Sequence, residues 1–216
     1  MCRLLCIRGQ GAFDIKPHLE QFSAIARNSR EFQGHGWGCS WLTESGFEHY
    51  HNINPIWEDP TRDFGATRLF LAHARSAFQD EGIKVENNMP FADDEHVFIF
   101  NGELRGVRIK EQGRIGAEKI FNYIKRFDKG DTLHALKRAL GIIEKRTRHI
   151  RALNLIMASR HCVFAASNFH EQPEYFQMHT VRRAGLAIIC SEAYPGEQSW
   201  QPFENHTVQA FPLESS

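Results

Sequence analysis

The chain enters its core at once. Cys2-Arg3-Leu4-Leu5-Cys6-Ile7-Arg8 reads as a short buried strand that begins at the terminus itself, so the first residues must lie inside whatever the rest builds. From 16 to 28, apolar Leu19, Phe22, Ile25 and Ala26 recur at helical spacing. A glycine-rich turn, Gly34-His35-Gly36-Trp37-Gly38, leads into 39–42 and a strand-like 47–51, and 54–63, with Pro55 and Pro60, is loop. Residues 68–75 and 96–100 are apolar strands, the second ending at Asn101-Gly102. Two helices come next, one from about 117 to 127 and one capped by Asp131 that carries Leu133, Leu136, Leu140 and Ile143. Strands at 153–158, 162–166, 175–179 and 186–190 close the chain. Strands, then helices, then strands again imply α+β layering rather than a regular βαβ alternation.

A chain of 216 residues with 42% hydrophobic content can bury a sizeable core. Its 26 basic and 26 acidic residues cancel, which removes any global electrostatic reason for nucleic acid or an anionic membrane as a partner. The basic run 137–151 reads as a solvated helix face. Five cysteines without a CxxC spacing point to free thiols and the reducing cytoplasm. No secretory signal and no membrane-length apolar stretch is visible. The 12 histidines show no HExxH pairing, so neither a metal nor a cofactor is expected.

Chemistry enters at Cys2. Initiator methionine is readily trimmed before a small residue, and trimming Met1 would leave a thiol and a free α-amine on one residue. An α-amine has a pKa of about 7.7–8.0, so it can serve as general base toward its own side chain. One residue then supplies both nucleophile and base. Such a centre needs oxyanion donors, and the Asn101 amide with the backbone N–H of Gly102 can provide them; the alternative for Asn-Gly is a two-residue hairpin turn. Arg75, at the end of an apolar strand, is a fork suited to a substrate carboxylate or to a structural ion pair.

These residues stand in a wider pattern: Met1-Cys2-Arg3-Leu4-Leu5, Gly36-Trp37-Gly38, His73-Ala74-Arg75-Ser76-Ala77, Asn101-Gly102-Glu103, 113–121, 153–159, and Ser191-Glu192 with Trp200. In this order they resemble the class II glutamine amidotransferases, especially their short stand-alone members. The resemblance uses up residues 1–216 as a single domain, and it implies a four-layer αββα sandwich of the N-terminal-nucleophile hydrolase kind. It also implies Cys2 as nucleophile, Asn101 and Gly102 as oxyanion hole, and Arg75 as clamp for the glutamine α-carboxylate, with Phe78, Glu103 and Gly116 at substrate-binding positions. The implied reaction passes through a γ-glutamyl thioester and releases ammonia.

The pattern departs where the family has Thr-Asp-Ser-Glu and this chain reads Ile115-Gly116-Ala117-Glu118. The missing carboxylate is the one that would bind the α-ammonium of glutamine. Phe100, Phe78 and His35 likewise replace His, Thr and Asp of the family's motifs. The substrate is therefore read as glutamine or a related γ-glutamyl compound, including one with a modified α-amine. A non-catalytic subunit, or one that feeds ammonia to a synthase partner, is the alternative.

Overall fold

Alternation along the first strand sets the layers. In the computed structural model, which describes residues 1–60 and 63–212, β1 (Arg3–Asp14) sends Leu5 and Ile7 to one side, where they join Phe22 and Ile25 of helix α1 (Lys16–Arg27). Leu4 and Cys6 go to the other side and join a second, larger cluster. Successive strand residues face opposite ways, so one strand serves two cores.

Sheet one continues with β2 (Trp37–Leu42), β3 (Phe47–Asn52) and β4 (Ala66–Ala74), and later gains β9 (His179–Arg183), β10 (Leu186–Cys190) and β11 (Gln201–Pro202). Its order is β11-β9-β10-β1-β4-β2-β3, antiparallel throughout, with β1 and β4 at its centre. Sheet two consists of β5 (Phe91–Ala92), β6 (Val97–Val107), β7 (Thr147–Ala158), β8 (Cys162–Phe169) and β12 (Thr207–Pro212), in the order β12-β8-β7-β6-β5. Helices α2 (Gly116–Lys125) and α3 (Thr132–Lys145) cover its outer face, where Phe121 of α2 stacks on Phe98 of β6 at 5.1 Å. Helix, sheet, sheet and helices make the αββα sandwich implied by the sequence.

Several local expectations hold. The first helix lies where its spacing places it, β10 covers 186–190, and Asp131 caps α3 by accepting a hydrogen bond from His134 N at 2.9 Å. Others change. The strand through Phe100 does not end at Asn101-Gly102 but runs on to Val107, paired with β7 across both residues. The pair is thus ladder, not a hairpin turn. Tyr175 and Phe176 belong to a short helix, α4 (Pro173–Phe176), rather than a strand, because Gln172 adopts a left-handed conformation (φ 47°) and Pro173 opens the helical turn. The basic run spans the end of α3 and the start of β7; Lys137, Arg138, Lys145, Arg146 and Arg148 are exposed as read, and only Arg151, 18% exposed and paired with carboxylates, departs from a solvated face. Strands β5, β11 and β12 were not anticipated. All five cysteines are free. Among the described residues, no helix is long and apolar enough to cross a membrane.

Candidate active site

Cys2 stands just before β1 with the strand's inward-facing positions, Leu4 and Cys6, continuing its alternation toward sheet two. Its Sγ accepts a hydrogen bond from Ser76 N at 3.5 Å and lies 3.6 Å from Ser76 O. Burial pushes the thiol pKa up, while the terminal ammonium, the Ser76 N–H and Arg75 pull it down. The net shift is upward, so the thiol needs a base to become a nucleophile.

Arg75 follows β4 directly. Its backbone is held on both sides, with its N–H donating to Gly36 O at 2.9 Å and its carbonyl accepting from His35 N at 3.1 Å. Gly36 is required there: its φ is +100°, and a Cβ would meet the Asn88 amide at 2.2 Å. The Arg75 guanidinium is 4% exposed. It donates to Gly82 O at 2.9 Å and to Asn88 Oδ1 at 3.4 Å. Among the described residues no carboxylate pairs with it, so the structural ion pair is absent. A buried cation without an anion is costly.

Facing them is β6. Phe98 and Phe100 stack on each other and turn toward α2, which leaves Ile99, Asn101 and Glu103 on the face toward sheet one. Asn101 is 1% exposed, and among the described residues neither its Oδ1 nor its Nδ2 has a partner. Its neighbour across the ladder is the opposite case. Asn154, in register with it, donates to Phe176 O at 2.7 Å and accepts from Ser167 Oγ at 2.9 Å. Buried amides are normally satisfied, so Asn101 is the exception in this wall. Gly102 follows with the Phe100 ring across it, and a Cβ there would meet that ring and Ala152 O, each at 2.4 Å.

His73 lies between these walls, on β4 opposite Leu4. Its ring approaches the Phe100 carbonyl without a hydrogen bond of normal geometry. Burial, reinforced by Arg75, lowers its pKa to about 3, so it is neutral. The sequence contained it within the Arg75 motif but gave it no role.

The other anticipated positions serve differently. Glu103 is occupied by two arginines, accepting from Arg105 Nε at 2.6 Å and Arg151 Nη1 at 3.2 Å. Burial alone would raise its carboxyl, but these bonds hold it below the usual range. Phe78 is 57% exposed on the loop after Arg75. Gly116 opens α2 at the surface with nothing within 4 Å of a would-be Cβ, so no steric demand explains the glycine. Glu118 is held by Arg114 Nε at 2.9 Å.

A group that sequence spacing could not reveal surrounds Met1. Glu31 pairs with the Met1 ammonium and accepts from Arg151 at 3.0 Å, and Gln33 and Tyr175 donate to the Met1 carbonyl. A cavity of about 400 Å³ lies beside Asn88 between His51, Glu86, Arg114 and Glu118, and Cys2 and Asn101 do not line it. For metals, the described residues offer one group, the exposed Glu144, His170 and His206, with ligand atoms within 4.8 Å of one another. None of the three belongs to the surroundings of Cys2.

No protein-family model matches the chain, and no curated protein matches it. Solved structures do. A glutamine aminotransferase class-II domain protein from Silicibacter pomeroyi superposes with a TM-score of 0.67 at 18% identity, over 97% of this chain and 94% of that one. A protein from Pseudomonas aeruginosa described as a predicted glutamine amidotransferase gives 0.60 at 13%, over 98% of each chain. Glutamine phosphoribosylpyrophosphate amidotransferase from B. subtilis gives 0.64 at 13%, over all of this chain but 50% of that one, so the chain spans half the length of that enzyme. The fold is that of class II glutamine amidotransferase domains, as the sequence motifs implied.

Proposed function

We propose that this chain is an N-terminal-cysteine amidohydrolase that cleaves the side-chain amide of glutamine, or of a related γ-glutamyl compound, through a thioester at Cys2. The observation that carries the reading is the unpartnered Asn101 amide, buried on the wall that faces the thiol's strand. A buried amide with nothing to bind costs about 1–3 kcal/mol. An oxyanion that forms only during reaction is a partner that justifies the cost.

The steps follow from the groups present. With Met1 removed, the Cys2 α-amine takes the thiol proton and Sγ attacks the amide carbon. The carbonyl oxygen becomes an anion, which accepts hydrogen bonds from Asn101 Nδ2 and Gly102 N. The ammonium of Cys2 returns its proton to the nitrogen, the C–N bond breaks and ammonia leaves, giving the thioester. Water, deprotonated by the same amine, attacks in turn; the C–S bond breaks and the thiol is regenerated with release of the acid. Arg75 holds the substrate carboxylate throughout, supported by Gly82 and Asn88. Neutral His73 adds no charge beside the developing anion.

The test is intact-mass analysis of the protein before and after exposure to 6-diazo-5-oxo-L-norleucine, beside Cys2→Ala. Loss of Met1 with one adduct that requires Cys2 is the expected result. Retention of Met1 in protein from its native host would remove the base and overturn the mechanism. One observation favours the second reading, an ammonia-supplying subunit: Phe78, Ile83 and Val85 are exposed on the loops that follow Arg75, and exposed apolar groups of this kind mark partner surfaces. Ammonia release by the isolated protein, saturating with amide, would decide for the free-standing hydrolase.

A further inference from the structure

Before trimming, Met1 is a ligand of its own chain. Its α-ammonium pairs with Glu31 Oε2. Its carbonyl oxygen accepts from Gln33 Nε2 at 2.6 Å and from Tyr175 Oη at 2.7 Å. Its side chain packs against Ala152, Phe169, Tyr175 and Phe176. The receptor for these groups is built, not incidental. Arg151 Nη2 donates to Glu31 Oε1 at 3.0 Å and to Gln172 Oε1 at 2.8 Å, which fixes the carboxylate from behind. Gln33 is fully buried, yet its Oε1 has no partner among the described residues. An open acceptor in such a place is met by an N–H donor.

Charge around the thiol has the same logic. Arg75 and Glu31 both act electrostatically on Cys2. The first is a buried cation with no carboxylate of its own; the second is a carboxylate already shown holding an α-ammonium. The thiol thus has a cation and a carboxylate of opposite charge acting on it. The α-nitrogen of a γ-glutamyl group bonded to Sγ lies at about the same number of covalent bonds from sulfur as the Met1 nitrogen does.

We infer that the pocket filled by Met1 becomes, once Met1 is removed, the subsite for the α-ammonium of the substrate, with Glu31 replacing the carboxylate lacking at Gly116. The substrate class follows: side-chain amides of amino acids with a free α-amine, in preference to desamino or N-acylated analogues. This rests on the function proposed above, but its test needs binding only. Arg151 is a positioning residue, since it touches Glu31 and not the ligand.

The probe is L-glutamine against glutaramate, its analogue without the α-amine, measured calorimetrically on trimmed Cys2→Ala protein. L-glutamine should bind roughly tenfold or more tightly, as expected for one charge-assisted hydrogen bond. Glu31→Gln should erase that ratio without weakening glutaramate, and Glu31→Asp should keep part of it. Thermal melts establish that each variant is folded. An unchanged ratio in Glu31→Gln, equal binding of the two ligands by Cys2→Ala, or binding of neither, overturns the inference. Failure of Cys2 to label in the wild type, with the Glu31-dependent ratio intact, overturns the nucleophile alone.

Discussion

Asn101 is the residue where the proposed function and stability pull apart. Its amide is buried without a partner among the described residues, while Asn154, beside it in the ladder, is bonded through both its amide atoms. Asn101→Leu removes the unmet polar group at similar volume, so the thermal midpoint should hold or rise, while amide hydrolysis falls by roughly a hundredfold to a thousandfold. A leucine variant with wild-type turnover would end the oxyanion role. At this scale the candidates legible in the sequence were those whose chemistry is local to a motif: Cys2, Arg75 and Asn101. It could not show Glu31 or Tyr175, whose bonds to Met1 close separations of 30 and 174 residues. Glutamate in a loop has no signature until the fold brings an ammonium to it. The sequence also placed Glu103 at the substrate, where it answers to Arg105 and Arg151 instead.

At the scale of elements, β6 is where reading and structure differ most usefully. Asn-Gly is so strong a turn signal that the strand seemed to end there, yet the ladder with β7 continues from Val97 to Val107. Gly102 is present for space: the Phe100 ring lies across its bare face, and Ala152 O is equally near. Gly102→Ala should therefore cost roughly 1–3 kcal/mol, as overpacking does, measured as a drop in the denaturation midpoint. An alanine variant as stable as wild type would mean that the ring moves aside freely. Periodic segments such as α1 and α3 were legible because one face of each is apolar at helical spacing. Strand β12 was not, since Thr207–Pro212 lies at the edge of sheet two and is only partly buried, which weakens the apolar pattern that marks a strand.

For the molecule as a whole, burial of histidine sets the response to acid. His18, His49, His51, His73 and His179 are all held below their ordinary pKa, chiefly by burial. Once unfolded they would take protons near pH 6.5, so the unfolded state binds more protons below that value and stability must fall with pH. For His73, with a folded pKa of about 3, the loss is about 1.4 kcal/mol per pH unit below 6.5. The carboxyls of Glu31, Asp93, Glu103 and Glu118, held low in the fold, add a second loss below their unfolded pKa of 4.5 for Glu and 3.8 for Asp. Thermal midpoints should be level between about pH 7 and 8, decline from about 6.5 downward, and fall again above about 9, where the buried Cys6 and Cys190 thiols, pushed up to about 12, stay protonated only in the fold; a level profile to pH 5 would contradict this. The layering itself was legible from the order of elements and the family motifs, because a sandwich needs little more than which faces are apolar.

The enclosure of Met1 also imposes an order on events. Its side chain is 9% exposed and its ammonium is engaged by Glu31, so an aminopeptidase meeting the finished fold finds no free end to grip. If Met1 is removed, as the proposed mechanism requires, its removal must precede the folding of the first strand. Untrimmed protein treated with methionine aminopeptidase should keep Met1 when native and lose it when treated unfolded. The clock that governs how much of this protein matures would be a race between one peptidase and one strand.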